Sequence, residues 1–160
     1  MTTDMMLRRA TEDDFAPLTM LWAEGWDTGH LNHAPKALIK LRTADSFHQR
    51  LRGFGDDLKV VGPRGEPTGF VAFKANSIDQ FYVRADQIGT GLAADLLAAA
   101  EAELEARGHK IARLDCGTGN DRARRFYNKN GWTEIGIEDA TVDTSQGPFV
   151  LPLILFSKQL

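Results

Sequence analysis

A strand, a glycine-containing turn and a long helix follow one another in the middle of the chain. Residues Ile78–Val83 are rich in β-branched and aromatic side chains, as strands usually are. Gly89 and Gly91 lead into Leu92–Arg107, an alanine- and leucine-rich segment with high helix propensity. A second strand-like segment, Ile111–Cys116, follows this helix. Because a strand that returns to its own sheet through a helix lies parallel to the first strand, this unit predicts one parallel strand pair.

The segments around this unit predict antiparallel strands and further helices. Leu58–Val61 and Gly69–Phe73 flank a proline- and glycine-rich turn at residues 63–67, which predicts a hairpin. The other predicted elements are a strand at Leu7–Ala10, helices at Thr11–Trp26 and Asp121–Asn130, a helical region at 36–54 with an interruption near Arg42, and strands at Thr133–Ile137 and Phe149–Ser157 around residues 146–148. The order β-α-α-β-β-β-α-β-α-β-β predicts an α/β (α+β) fold, with a mixed, mostly antiparallel twisted sheet of about seven strands and helices on both faces.

Length and composition limit the classes of function. The 160 residues and 42% hydrophobic content predict a single domain spanning residues 1–160. The formal net charge of −3 gives no basic excess for a nucleic acid or an anionic membrane. Cys116 is the one cysteine of the chain, which excludes an internal disulfide and a cysteine-based zinc site. The longest apolar run, Phe149–Phe156, is too short to span a bilayer, and residues 1–6 do not resemble a signal peptide, so we expect a cytoplasmic protein.

The glycine turn before the long helix is a candidate site for an anion. The first amides of a helix have no intrahelical partner, and the helix dipole adds partial positive charge at that end. Gly89 and Gly91 let a bulky anion approach this backbone, which favours a pyrophosphate cradle. A tight strand-to-helix turn without a ligand is the alternative. No Gly-Lys-Ser/Thr follows, so the turn is not a P-loop, and the dinucleotide fingerprint lacks its third glycine.

Two segments in this order resemble the GNAT superfamily of N-acetyltransferases. The first is Phe81-Tyr82-Val83 leading into Ile88-Gly89-Thr90-Gly91-Leu92-Ala93, which is similar to the family's acetyl-CoA pyrophosphate loop, Q/R-x-x-G-x-G/A. The second is Gly119–Trp132, which is similar to the family's N-x-x-A-x-x-F-Y-x-x-x-G-F/W segment and contains Asn120 and Tyr127. One position departs from the pattern, since Ile88 stands where the family usually has Gln or Arg, and Gln87 lies one residue earlier.

The resemblance implies a GNAT-like fold and an N-acetyltransferase. It would move the acetyl group of acetyl-CoA to a primary amine by direct attack in a ternary complex, without a metal, and the family analogy favours a small-molecule acceptor. The implied cofactor-binding residues are Phe81, Tyr82, Val83, Ile88, Gly89, Thr90, Gly91, Leu92, Ala93, Asn120 and Tyr127. The pantetheine arm would pair with the strand around Phe81 and Val83. A non-catalytic module that binds or senses acyl-CoA is the alternative function.

The resemblance also implies two catalytic residues, Tyr127 and Asp79. Tyr127 is neutral at pH 7 and would donate a proton to the departing CoA thiolate. Some family members carry a glutamate base at the position that Ser77 occupies here. Asp79, two residues further along the predicted strand, lies on the same face and is the nearest substitute carboxylate. A surface role for Asp79, with ordered water in place of a protein base, is the alternative.

The remaining candidates are interpreted as structural. His30 and His33 are predicted to lie in a solvated loop, with a role in the acceptor cleft as the second reading. Cys116 is expected to be buried, and Trp22 and Trp26 to pack in the core. The arginine and lysine side chains between positions 122 and 129 are expected on a solvated helix face. The segment from Trp26 to His33 is where acceptor specificity is expected.

The last predicted strand, Phe149–Ser157, has a second implication. It is strongly apolar and is expected to lie at an edge of the sheet. Exposed sheet edges are usually covered, and members of the resembled family often dimerise. We therefore expect a homodimer, with no nucleic-acid or membrane partner.

Overall fold

The computed structural model describes residues 6–160. The helices are α1 (Phe15–His30), α2 (Lys36–Leu41), α3 (Ala44–Gly53), α4 (Leu92–Ala106) and α5 (Asp121–Lys129). The strands are β1 (Arg8–Arg9), β2 (Leu58–Val61), β3 (Gly69–Lys74), β4 (Ser77–Val83), β5 (Ile111–Gly117), β6 (Thr133–Thr144) and β7 (Gly147–Gln159). Short 3-10 turns occupy Glu12–Asp14, Gly55–Asp57 and Ala85–Gln87. Within residues 6–160, no helix has the length and apolar character needed to cross a bilayer.

All seven strands form one sheet in the order β1-β2-β3-β4-β5-β7-β6. Every neighbouring pair is antiparallel except β4 and β5, which are parallel and joined through α4. The predicted mixed, mostly antiparallel sheet of seven strands is therefore confirmed. The parallel pair arises where expected, because the chain leaves β4 through a helix before it returns in β5.

The C-terminal hairpin corrects one prediction. β7 was expected at a sheet edge, but it lies between β5 and β6, and β6 forms the edge. The hairpin is also longer than predicted, since β6 continues to Thr144 and β7 begins at Gly147. The sequence does not mark residues 138–144 as a strand, because three of them are acidic and only Ala140 and Val142 are apolar. The regular pairing of this segment with β7 supplies the stabilisation that its composition does not indicate.

The helical segments agree with the sequence prediction at one point and differ at another. The helical region at 36–54 is divided at Arg42 and Thr43, where an interruption was expected, and the Thr43 side chain accepts a hydrogen bond from the Ser46 amide and caps α3. α1 continues through Gly25 to His30, although glycine lowers helix propensity. A Cβ atom at Gly25 would lie 2.5 Å from the Tyr82 ring. This glycine therefore serves close packing of α1 on the sheet.

The two faces of the sheet carry separate cores. α4 and α5 cover one face, where Leu96 and Leu97 pack against Val71 and Phe73 of β3. α1 and α3 cover the other face, with Trp22 at its centre. The Trp22 ring, predicted for the core, is completely buried and lies 4.8 Å from the Phe47 ring. Packing therefore holds the sheet on both faces, and the two cores together define the space between β4 and β5.

β4 and β5 are in register at one residue pair, Ser77 with Arg113. β4 also contains a bulge, because Phe73 of β3 pairs with Ile78 while the preceding Ala72 pairs with Gln80. The extra residue is Asp79. A bulge bends the strand and increases its twist. β4 therefore leaves β5 beyond this point, and a gap opens in the middle of the sheet.

A buried ion pair joins the N-terminal strand to the β2–β3 hairpin. Arg8 contacts both carboxylate oxygens of Asp14, at 2.7 and 3.0 Å, and the amides of Thr11 and Gly65 donate to the same group at 2.7 and 2.9 Å. Burial opposes ionisation of Asp14, but these hydrogen bonds outweigh it and hold its pKa far below the usual range. The charge of Asp14 is therefore part of what holds this corner of the fold.

We predict that Asp14→Asn lowers the free energy of unfolding by about 2–4 kcal/mol, because it breaks a buried, multiply bonded ion pair. Urea denaturation measures the change. Since the pKa of Asp14 is lowered by folding, its contribution is complete above the unfolded value of about 3.9 and declines as the pH falls below it. The neighbouring Asp13 forms a surface pair with Arg64 at 3.4 Å. Asp13→Asn is the control and should cost under about 1 kcal/mol; an equal loss in both variants would contradict the assignment.

Candidate active site

A cavity of about 250 Å³ lies where β4 and β5 separate. Its walls come from five parts of the chain: the end of α1 with the following loop, the α2–α3 region, β4, β5 with the start of α5, and the β6–β7 hairpin. The polar or ionisable side chains on these walls are His30, His33, Arg42, Arg50, Asp79, Gln80, Tyr82, Asp115, Cys116, Thr118, Asn120 and Tyr127. The cavity therefore joins residues that are distant in the sequence, and it contains both predicted catalytic residues.

Tyr127 reaches the cavity from α5 and is 8% exposed. Its ring lies 5.5 Å from Phe156, 6.4 Å from Phe81 and 6.4 Å from Trp132, with ring planes strongly inclined. Burial raises the pKa of Tyr127 well above its usual value, so the group stays protonated. Its hydroxyl forms no hydrogen bond to any of residues 6–160. It is therefore a fixed donor that faces the cavity.

The position of Tyr127 depends on the segment that follows α5. The Trp132 amide donates to the Tyr127 carbonyl at 3.0 Å, and the Trp132 indole donates to Glu101 of α4 at 3.2 Å. Lys158 of β7 contacts Glu101 at 2.7 Å and donates to the Asn130 carbonyl at 3.0 Å. This network ties the end of α5 to both α4 and β7. Rotation of the Tyr127 ring away from the cavity would therefore require several contacts to break.

Asp79 has a carboxylate partner that the sequence analysis missed. The register of Ser77 with Arg113 places Asp79 and Asp115 two residues further along adjacent parallel strands, and both line the cavity. Burial raises the pKa of Asp79, against the opposing charge of Arg50. Burial, together with the charge of Asp79, raises the pKa of Asp115 to about 6. Asp115 remains accessible through the cavity, so this pair can exchange protons near neutral pH.

Ser77, the position matched to the family's glutamate, does not line the cavity. The alternation of Ile111–Cys116 was a usable signal for Asp115. Leu114 and Cys116 are buried on the α4 face, so Asp115 between them had to face the other side of the sheet. The bulge at Asp79, in contrast, depends on the pairing of β3 with β4 and leaves no mark in the sequence.

Two arginines that line the cavity, from α3 and from the segment between α2 and α3, were also missed. Arg42 lies between α2 and α3, and its Nη1 donates to the Asp143 carbonyl at 2.6 Å. Arg50 lies on α3, with its guanidinium 4.5 Å from the centre of the Trp22 ring. Burial lowers the pKa of Arg50, and it lowers the pKa of Arg42 to about 10. Both remain charged at neutral pH, and nothing in their local sequence distinguishes them from surface arginines.

His30 and His33 line the cavity, in agreement with the second of the two sequence readings. His30 is the last residue of α1, stacks on Trp26 at 5.0 Å and has Nδ1 3.0 Å from the Trp26 carbonyl. Burial lowers the pKa of His30 to about 4, so the ring is neutral. His33 packs so closely on Gly119 that a Cβ there would clash with the imidazole. The end of α1 therefore covers one side of the gap.

Cys116 is buried, as expected, and burial raises its pKa to about 12. A thiol with such a pKa is a poor nucleophile at neutral pH. Across residues 6–160, no group of three histidine, cysteine or acidic side chains is arranged to hold a metal ion.

The edge of β4 that faces the gap has free peptide groups. The Arg84 amide donates to the Thr68 carbonyl, so Tyr82 and every second residue before it, up to the bulge, bond to β3. Phe81 and Val83 consequently point their amides and carbonyls toward the gap. These are the two positions at which the sequence predicted an added strand. The Tyr82 side chain lies on the α1 face, where it stacks with Phe70 at 5.8 Å.

The glycine turn has the backbone that a cradle for an anion requires. Gly89 and Gly91 have φ of +84° and +90°, which L side chains rarely adopt, and the space beside both is open. The amides of Ile88 and Thr90 donate to carbonyls of the preceding turn, and Leu92 donates to the Thr90 hydroxyl. The amides at 89, 91 and 93 form no hydrogen bond within residues 6–160. Of the predicted loop, these alternate positions are the ones available to a ligand.

Asn120 caps α5, with its side-chain oxygen 3.2 Å from the Ala123 amide. The same side chain lines the cavity. The basic residues of this helix do not. Arg124 forms a bidentate pair with Glu134 at 2.7 and 3.1 Å, while Arg122 and Arg125 are exposed. The basic side chains therefore lie on the helix surface, as predicted.

Comparisons with known proteins agree with this arrangement. A family model for an acetyltransferase (GNAT) domain matches residues 32–143. A search of curated proteins gives no match.

Solved structures match nearly the whole chain. A GCN5-related N-acetyltransferase from Rhodopseudomonas palustris is 22% identical, with a TM-score of 0.74 over 100% of this chain and 98% of that one. The PaiA N-acetyltransferase from Thermoplasma acidophilum, in complex with coenzyme A, is 17% identical, with a TM-score of 0.68 over 99% and 100%. YncA from Salmonella typhimurium, with acetyl-CoA, is 18% identical, with a TM-score of 0.62 over 99% and 95%. At these identities the likeness establishes the fold.

The carboxylate pair gives a prediction that can be tested on the protein without any ligand. Replacing Asp79 by Asn removes a negative charge beside Asp115, so the pKa of Asp115 should fall from about 6 toward the ordinary value of about 3.9. Carboxyl-carbon NMR titration of the protein measures this shift. Asp95→Asn, an exposed substitution on α4, serves as the control and should leave Asp115 unchanged. An unaltered titration of Asp115 in Asp79→Asn would show that the two groups do not interact.

Proposed function

The chain belongs to the GNAT acetyltransferase family, and from this premise we propose that it transfers the acetyl group of acetyl-CoA to a primary amine by direct attack in a ternary complex. The observation that carries the proposal is the single cavity that joins Tyr127, the Asp79–Asp115 pair and the free edge of β4. Each of these features has a separate task in acetyl transfer. The incubation of the protein with acetyl-CoA and a panel of amines, followed by detection of the released thiol, tests the activity directly.

Acetyl-CoA would bind mainly to backbone groups of the glycine turn and of β4. The amides at 89, 91 and 93 would bind the pyrophosphate at the start of α4, where the helix dipole adds partial positive charge. The pantetheine arm would then pair with the peptide groups of Phe81 and Val83 as an added strand. This path leads along β4 into the cavity, where the thioester would lie near Tyr127. The same free amides of β4 would stabilise the oxyanion that develops during attack.

The amine must lose a proton before it attacks, because an ammonium group has no free electron pair. The Asp79–Asp115 pair would accept this proton, directly or through a water molecule, since its raised pKa makes it a stronger base than an ordinary carboxylate. The nitrogen forms a bond to the acetyl carbon, and the bond from that carbon to sulfur breaks. Tyr127 would donate its proton to the departing thiolate, and the proton that the nitrogen loses as the amide forms would return to the Tyr127 oxygen.

A module that binds acyl-CoA without catalysis is the rival function. It would need the glycine turn and the β4 edge, but it would gain nothing from the two carboxylates of the cavity or from a tyrosine hydroxyl without a partner. Acetyl-CoA binding without thiol release for any amine would favour this rival.

The homodimer stays a prediction, and the exposed apolar side chains Ile135 and Ile137 make the β6 edge its candidate surface.

The cradle can be tested by two matched glycine substitutions. Gly91→Ala and Gly108→Ala introduce the same methyl group at positive φ with open space, at opposite ends of α4. Each should cost about 1–2 kcal/mol of stability from backbone strain. Gly91→Ala should also lose most of the rise in melting temperature that saturating acetyl-CoA produces, because the backbone must change where the pyrophosphate binds. Gly108→Ala should keep that rise; equal thermal shifts in the two variants would count against the cradle.

The role of Tyr127 can be tested by removing its hydroxyl. Tyr127→Phe keeps the ring that packs on Phe156, so the melting temperature should change little. We expect kcat to fall by about 10²-fold with unchanged acetyl-CoA affinity, since the hydroxyl acts in the transition state. Steady-state kinetics and calorimetric titration measure the two quantities. Turnover within about threefold of the parent, less than about 1 kcal/mol in barrier, would make Tyr127 a packing residue.

A further inference from the structure

Arg42 and Arg50 differ from the other arginines of the described chain. Seven arginines form ion pairs with acidic side chains: Arg8, Arg9, Arg52, Arg64, Arg84, Arg107 and Arg124. The other five form none with any of residues 6–160: Arg113, Arg122 and Arg125 are exposed, whereas Arg42 and Arg50 are half-buried and line the cavity. The charges of Asp79 and Asp143 favour both guanidinium groups, but neither carboxylate forms an ion pair with them, and burial lowers the pKa of both arginines. The two groups therefore keep donors on the cavity wall that are available to an anion from outside the chain.

The hydrogen-bonding capacity of the two guanidinium groups supports this reading. A guanidinium carries five N–H donors. Arg42 uses Nη1 for the Asp143 carbonyl, and its buried Nε has no acceptor within the described residues. The Arg50 guanidinium lies over the Trp22 ring, and none of its donors forms a hydrogen bond to residues 6–160. The planar guanidinium fork fits a carboxylate with two parallel hydrogen bonds.

The positive and the negative groups of the cavity come from different parts of the fold. The positive groups, Arg42 and Arg50, come from the α2–α3 side, and the negative groups, Asp79 and Asp115, come from the strands. We propose that the acceptor is a small amino acid-like molecule, whose carboxylate binds Arg42 and Arg50 while its amine lies at the Asp79–Asp115 pair. This inference rests on the proposed acetyl transfer. It deepens that function by naming the class of acceptor.

The shape of the cavity favours the same class. Ligand sites usually enclose about 300–1,000 Å³, and this cavity of about 250 Å³ must also admit the acetyl end of the donor. A polyamine or an aminoglycoside would bring further positive charge against the two arginines. A lysine side chain of a protein would offer them no anion. A small zwitterion satisfies both walls at once.

The experiment compares acceptors that differ only in the anion. Thiol release from acetyl-CoA is measured with free amino acids, with their carboxamides, and with the decarboxylated amines. We expect kcat/KM for the best amino acid to exceed that for its carboxamide by about 10²-fold, because the carboxamide leaves the arginine donors without a charged partner. O-Phosphoethanolamine, spermidine and a lysine peptide complete the panel. A preference for the phosphate compound, the polyamine or the peptide would overturn the proposal.

Two variants test whether Arg42 and Arg50 cause the preference for an acceptor with a carboxylate. Arg50→Gln and Arg42→Gln should raise KM for the amino acid at least about tenfold and bring its kcat/KM close to that of the carboxamide in the same variant. Arg52→Gln is the matched control, since Arg52 lies on the same helix but pairs with Glu12 at the surface. It should leave both acceptors unaffected. An unchanged preference in both cavity variants would show that these arginines do not bind the carboxylate.

A binding measurement separates this inference from the proposed function. The melting temperature of the CoA-saturated protein is recorded with and without the amino acids of the panel. A rise in the parent protein that Arg50→Gln abolishes would support the carboxylate site even if no amine is acetylated. Acetylation of neutral or cationic amines, without any effect of amino acids, would leave the proposed function standing and overturn the inference. Neither binding nor turnover with amino acids would also overturn it.

Discussion

The separation of β4 from β5 is the constraint on which the rest of the site depends. The two strands are in register at Ser77 and Arg113 alone, and the bulge at Asp79 turns β4 away beyond that point. A sheet normally satisfies its backbone groups through its neighbours. The gap instead leaves the peptide groups of Phe81 and Val83 free, and a ligand that can pair with a strand edge satisfies them. The cavity is therefore a consequence of incomplete strand pairing.

Packing on both faces keeps this gap open. The Trp22 core holds β4 from the side of α1 and α3, while β5 is held by α4 and by its seven-residue register with β7. The ring of Tyr127 lies among aromatic side chains at the bottom of the gap, and Glu101 and Lys158 fix the segment behind it. The strands cannot close without the loss of apolar contacts on both faces. The stability of the two cores thus preorganises the site.

The charges in the cavity follow from the same geometry. Asp79 and Asp115 lie two residues beyond the one residue pair of β4 and β5 and line the same cavity, and the charge of Asp79 adds to the effect of burial on the pKa of Asp115. The positive charge of Arg50 opposes the rise in the pKa of Asp79, so the α3 side of the cavity interacts electrostatically with the strands. Oppositely charged walls within a small volume select for a ligand with a matching separation of charge.

The sequence by itself determined the order of elements, the mixed sheet and the positions of Tyr127, Asp79, Gly89 and Gly91 in strand, helix or turn, because these depend on local periodicity and on backbone conformation. The tertiary structure decided that β7 is central and β6 is the edge, since strand order depends on pairing between distant segments. It also decided which side chains meet across the cavity. Nothing in the local sequence marks Asp115, Arg42 or Arg50 as functional. They acquire an electrostatic role only because β5 and the α2–α3 region meet at the cavity.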